Sequence, residues 1–153
     1  LSSGAAKKAV LQGLLDAGRL ERVPASAALA ARLVGEARSH LRAADKVLDL
    51  DPAGSLHLAY DAARKAAGAL LAAQGLRATT PGGHVAVQEA ARACSPAFAA
   101  FTLLRRRRHD SEYPRPDTPT VTRADAVEAL ERASEMVASA GMLLDGGRLR
   151  EFR

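Results

Sequence analysis

The stretch DPAGSLHLAYDAARKAAGALLAAQG, Asp51 to Gly75, decides the fold. Asp51 can cap a helix, and Pro52 suits the first helical position, where no amide hydrogen is needed. Leu56, Tyr60, Ala63, Ala67, Leu70 and Gln74 then recur at three- and four-residue spacing, which puts them on one face. Gly75 supplies the stop. Alanine and leucine supply most of the chain's apolar residues, so neighbouring helices can approach closely.

The same grammar extends in both directions. GAAKKAVLQGLLDAG reads as a short leading helix closed by Gly18, with modest apolar content, and so as an arm rather than core. After the break VPAS, Ser26 is an N-cap for a helix to about Leu50, with Leu29, Leu33, Ala37, Leu41, Ala44 and Leu48 as its stripe. LRATTPGG is a loop of turn residues, and His84 begins a shorter helix, HVAVQEAARAC. Ser95-Pro96 interrupts it and starts PAFAAFTLLRRRRHDSEY. Pro114, Pro116 and Pro119 forbid regular helix in the next connector. Thr122 and Asp125 form a capping-box pattern before a last helix with the stripe Ala126, Leu130, Ala133, Val137, Ala140 and Leu144.

These elements predict an all-α, up-and-down bundle of four main helices plus short helices. The divisions are a short N-terminal helix or arm (1–25), the helical bundle (26–145) and a basic C-terminal tail (146–153). Strand formers are few: isoleucine is absent and aromatic residues are 3% of the 153 residues. No apolar run approaches ~18 residues, so no membrane partner is expected. The N-terminal stretch lacks a signal-peptide pattern, and the expectation is a bacterial cytoplasmic protein. Cys94 is a lone cysteine with no ligand cluster around it, which suits a small buried apolar residue better than a nucleophile. Neither a metal nor a cofactor is expected.

The formal net charge is +5, and arginine supplies most of the positive residues. That balance fits an acidic partner, such as nucleic acid or an acidic protein, and equally a basic protein from an arginine-rich proteome. The arginines concentrate in LLRRRRHDSEYP, Leu103 to Pro114. Counted at about 100° per residue from Phe98, Arg105 and Arg108 continue the stripe of Phe98 and Phe101, while Arg106 and Arg107 turn to solvent. A guanidinium on an inward face needs a partner. An internal carboxylate, Asp61 or Glu112, would supply one. A phosphate suits the forked guanidinium as well, and a second chain could meet the same face.

Three features together resemble the HEPN superfamily of helical nucleotide-binding domains. In RHDSEY, Arg108 stands at the motif arginine, His109 at its polar neighbour and Tyr113 at the position of the motif histidine. AYDAARKAAGALLAAQGLR, Ala59 to Arg77, is similar to the family's early helix with its aromatic–acidic–arginine pattern, here Tyr60, Asp61 and Arg64. GGH, Gly82 to His84, resembles the turn between early and late helices. The resemblance spans roughly Ser26 to Asp145.

The resemblance implies a homodimer that binds RNA and cleaves it without metal, by attack of the ribose 2′-hydroxyl on the adjacent phosphate. Arg108, supported by Arg105, would contact phosphate, with Asp61, Arg64 and Glu112 supporting. His109 and Tyr113 would carry the catalytic positions with Arg108. A phenol ordinarily titrates near ~10 and is a poor base at neutral pH, whereas imidazole is suited to proton transfer. On the helix His109 pairs with Arg105 at i, i+4. The resemblance also implies a toxin–antitoxin component with a nucleotidyltransferase antitoxin as partner, which would modify Tyr113; Ser111 stands where that arrangement has its histidine. The alternative is a catalytically inactive dimeric interaction module. His84 reads as a capping or packing residue, and His40 and His57 as surface or boundary residues.

Overall fold

The computed structural model describes residues 3–153. Six α-helices carry the described residues: α1 (Ser3–Asp16), α2 (Ala27–Val47), α3 (Pro52–Gln74), α4 (Gly83–Cys94), α5 (Phe101–Glu112) and α6 (Arg123–Asp145). The class is all-α, as predicted. Two three-residue strands, β1 (Leu20–Arg22) and β2 (Leu76–Ala78), pair antiparallel in the register Leu20 to Ala78. A 3₁₀ turn, Pro96–Ala100, joins α4 to α5.

Helix α3 is the axis of the bundle. Ala59, Ala62, Ala63, Ala66, Ala67 and Ala69 are all sealed from solvent, which only a helix packed on several sides achieves. Helices α2 and α6 flank it on one side, and α4, the 3₁₀ turn and α5 close the other. Small side chains set this close approach. On α2 the buried residues are Ala30, Val34, Ala37 and Ala44, while Leu29 is exposed. Of the expected stripe, Ala37, Ala44 and Leu48 are buried, Leu33 and Leu41 are half-buried and Leu29 is exposed. In α6 the expected Ala126, Ala133, Val137 and Ala140 are buried together with Ala129, while Leu130 is only half-buried.

The helix ends obey their chemistry. Ser26 Oγ accepts from the Leu29 amide at 3.0 Å, and Asp51 Oδ1 accepts from the Gly54 amide at 2.9 Å. Thr122 and Asp125 complete a reciprocal capping box. Gly75 closes α3 in the left-handed region at φ 71°, and a Cβ there would lie 2.7 Å from the Val23 carbonyl. Gly82 is demanded by space: a Cβ would collide with the Arg19 carbonyl. This contact pins the turn before α4 against the chain leading into β1.

One expectation for the chain ends needs revising. Leu11 and Leu14 of α1 are buried with Leu20, Leu71 and Leu76 in a second apolar cluster, so this helix packs rather than standing off as an arm. The basic tail also docks. Phe152 packs on that cluster, and its amide donates to the Gln74 carbonyl at 2.9 Å. The Arg22 guanidinium covers the Phe152 ring. Among the described residues, no helix is long and apolar enough to cross a membrane.

Candidate anion-binding cleft

The aromatic residues build the floor of the site. Phe98 and Phe101 stack at 6.4 Å, and Tyr60 of α3 meets Phe101 edge-on at 5.7 Å. These three side chains lock α5 to α3 and orient the rest of α5. Phe101 and Leu104 are fully buried, and Arg105 and Arg108 lie on the same face one turn further on.

The wheel counted from Phe98 needs one correction. Pro96–Ala100 is 3₁₀, which turns about 120° per residue instead of about 100°. Three such steps turn the whole of α5 by about 60° relative to Phe98 and leave the spacing within α5 unchanged. Arg107, expected in solvent, follows the buried Leu104 by three residues and reaches α6, where Nη1 lies 3.1 Å from Glu128 Oε2. Arg106 is exposed, as expected, yet it lines the same cleft as Arg105 and Arg108.

That cleft lies between α3, the start of α4 and α5 and encloses about 430 Å³. Tyr60, His84, Arg105, Arg106, Arg108, His109 and Asp110 line it. Arg108 spans two partners: Nη2 lies 2.7 Å from Glu112 Oε2, and its guanidinium sits 5.6 Å from the centre of the Tyr60 ring. Glu112 is thus the internal carboxylate of the two candidates. Asp61 faces Arg64 instead, at 3.7 Å. Arg105 has no carboxylate within ion-pair distance among the described residues, and its Nε is buried without a hydrogen-bond partner.

Tyr60 matches this unmet cation with an unmet hydroxyl. Its side chain is 95% removed from solvent (5% exposed). The hydroxyl has no hydrogen bond among the described residues, and it is not sealed in the core, so it opens on the cleft. Burial pushes the phenol above its ordinary titration range, while the positive charges of Arg64, Arg108 and Arg105 pull the other way. The phenol therefore stays protonated at neutral pH and serves as a donor.

Tyr113 falls elsewhere. It caps the end of α5, is 63% exposed and does not line the cleft. Its ring packs 5.2 Å from the His109 ring, centre to centre, and His109 is the member of the pair that lines the cleft. Ser111 turns to the other side of α5 and meets His57 Nε2 at 3.1 Å. His84 does line the cleft, at the start of α4, which the capping reading does not anticipate. Its position after the Gly82–Gly83 turn is the available signal, but only the fold brings that turn to α5.

Cys94 has a thiol pushed upward by burial and accepts a 3.4 Å contact from Gln74 Nε2, which suits packing better than nucleophilic attack. Among the described residues, no three His, Cys, Asp or Glu side chains come together as metal ligands would. Chemically, the cleft offers guanidinium and phenol donors for an anion, with two imidazoles at its rim. Comparison with known proteins finds no matching family model, no matching curated protein and no matching solved structure.

Proposed function

We propose that this chain is an RNA-binding protein of the HEPN type, and that the cleft between α3, α4 and α5 holds a backbone phosphate. One observation carries the reading: the Arg105 guanidinium, with its Nε buried and unpartnered, lies in the same cleft as the unpartnered hydroxyl of the 95%-buried Tyr60 (5% exposed). A half-buried cation without a counter-ion is costly, and a phosphate in the cleft would neutralise the guanidinium while accepting from the Tyr60 hydroxyl. Arg108 would swing between Glu112 and the ligand. Single-stranded RNA exposes the backbone that such a cleft can grip.

In this reading cleavage needs no metal. His84 and His109 stand at the rim as the groups suited to proton transfer, while Tyr113 lies outside the cleft and is open to modification by a nucleotidyltransferase partner of a toxin–antitoxin pair. Pure protein incubated with mixed RNA in EDTA should cleave it, and His109→Ala and Arg108→Ala should each abolish the cleavage. Cleavage that survives both changes would remove the active site from this cleft.

A second reading has its own support. Arg108 is already paired with Glu112 at 2.7 Å, as a structural arginine would be. The chain would then be an inactive dimeric interaction module that contacts its partner through α5. Dimerisation with neither RNA binding nor cleavage would favour it.

A further inference from the structure

A second hollow adjoins the cleft. It encloses about 330 Å³ and is lined by Arg64, Gly68, Thr80, Gly83 and His84, among others. His84 lines both spaces, so they adjoin at this residue. The floor of the second hollow is made of small side chains, Gly68 and Ala78, which leave it room. Its rim is polar. Arg64 is half-exposed and faces Asp61 only at 3.7 Å, Thr80 is exposed with no hydrogen bond among the described residues, and the His84 amide, at the second position of α4, has no acceptor among the described residues.

The helix start alone would be an unremarked feature of any helix. Here the second residue of the helix, His84, also lines the cleft that holds the 95%-buried Tyr60 (5% exposed). The positive edge continues from Arg105 and Arg108 past His84 to Arg64, with the dipole of α4 adding to it. A single phosphate would use only one end of this edge. A chain of phosphates would use both.

Resting on the RNA-binding reading above, we infer that the cleft is half of a longer groove: a single strand of RNA crosses His84, with one phosphate held by Arg105, Arg108 and Tyr60 and the neighbouring nucleotide seated in the second hollow under Arg64 and Thr80. The His84 ring sits at the crossing, where it can stack on the base between the two phosphates. Gripping at two points predicts an affinity that grows with strand length.

Isothermal titration of the full chain with uridine monophosphate and with a uridine tetranucleotide tests this. The tetranucleotide should bind at least about ten-fold tighter, as a second charged contact implies. Thr80→Asp and Arg64→Ala should each remove most of that gain, and Thr80→Asp should leave monophosphate binding unchanged. Both positions are exposed, and thermal melts of the variants establish that they fold. Arg105→Ala should weaken both ligands. If Arg105→Ala weakens both but the length gain survives Thr80→Asp and Arg64→Ala, the strand leaves the cleft by another route and the inference is overturned, while the proposed function stands. If neither ligand binds, or Arg105→Ala changes nothing, the proposed function fails and takes this inference with it.

Discussion

Helix α5 meets the molecule on two sides, and its arginines fare differently on each. On the side away from α4, Arg107 finds Glu128 of α6 at 3.1 Å, and Ser111 finds His57 of α3. On the α4 side, Arg105 finds no carboxylate, Arg106 reaches into the cleft, and a protonated phenol stands open beside them. One helix and four consecutive arginines thus yield two paired guanidinium groups, Arg107 and Arg108, and one, Arg105, that is half-buried without a carboxylate partner. The difference lies in what the fold places opposite. Charge density in a sequence therefore says little by itself; the informative quantity is which charges the fold leaves unmet.

The largest expected effect tests whether both sides share one support. Phe101 is buried beneath the two faces and touches Tyr60 and Phe98. Phe101→Ala should cost about 3–5 kcal/mol of stability in denaturant unfolding, through lost burial and the cavity left behind. A loss under about 1 kcal/mol would mean that α5 is held by something other than this aromatic floor.

A smaller effect probes the satisfied side. Thr122→Ala removes the N-cap of α6 and should cost about 1 kcal/mol in the same measurement. The cap also has a pH signature. Hydrogen bonds from the Thr122 backbone and side chain hold the Asp125 carboxyl below its ordinary range, with Arg107 nearby contributing. The folded value lies below the unfolded one, so this stabilisation is complete above the unfolded value near ~4 and is lost as pH falls through the lowered value. In thermal melts from pH 6 downward, Asp125→Asn should flatten the acid-side fall relative to the natural chain. An unchanged slope would show that the cap is not ionised when folded.

The smallest effect is at Arg107 itself. Its pair with Glu128 is partly exposed, at 28% and 41% of the two side chains, so Arg107→Ala should cost under about 1 kcal/mol. It should leave RNA binding intact. A marked loss of binding would erase the distinction between the two sides of α5.

Much of the fold is legible in the sequence because its signals are local. Ser26, Asp51 with Pro52, Gly75 and the Thr122–Asp125 box each act within a few residues of themselves, and each does what its chemistry predicts. The stripes are less legible. Leucine outranks alanine in apolarity, yet in α2 the close approach of helices selects Ala30, Ala37 and Ala44 for the seam and leaves Leu29 outside.

The site is legible in part. Helical spacing alone puts Arg105 and Arg108 on the cleft side of α5, where both are found. It misplaces Arg107 because the partner, Glu128, comes from α6, which no count along α5 reveals. Tyr60 and His84 come from α3 and α4, about twenty residues or more before the arginines of α5, so no spacing rule along the chain could join them to it. Tyr113 shows the converse: adjacent in sequence to the cluster, it ends outside the cleft because α5 stops at Glu112.

Fluorescence anisotropy with a labelled single-stranded RNA, compared across the natural chain, Arg105→Ala and Arg107→Ala over a series of salt concentrations, tests the central claim most directly. The account predicts that Arg105→Ala weakens binding about ten-fold or more and lowers the salt slope by roughly one, while Arg107→Ala leaves both unchanged. Equal losses in the two variants, or no loss in Arg105→Ala, would contradict it.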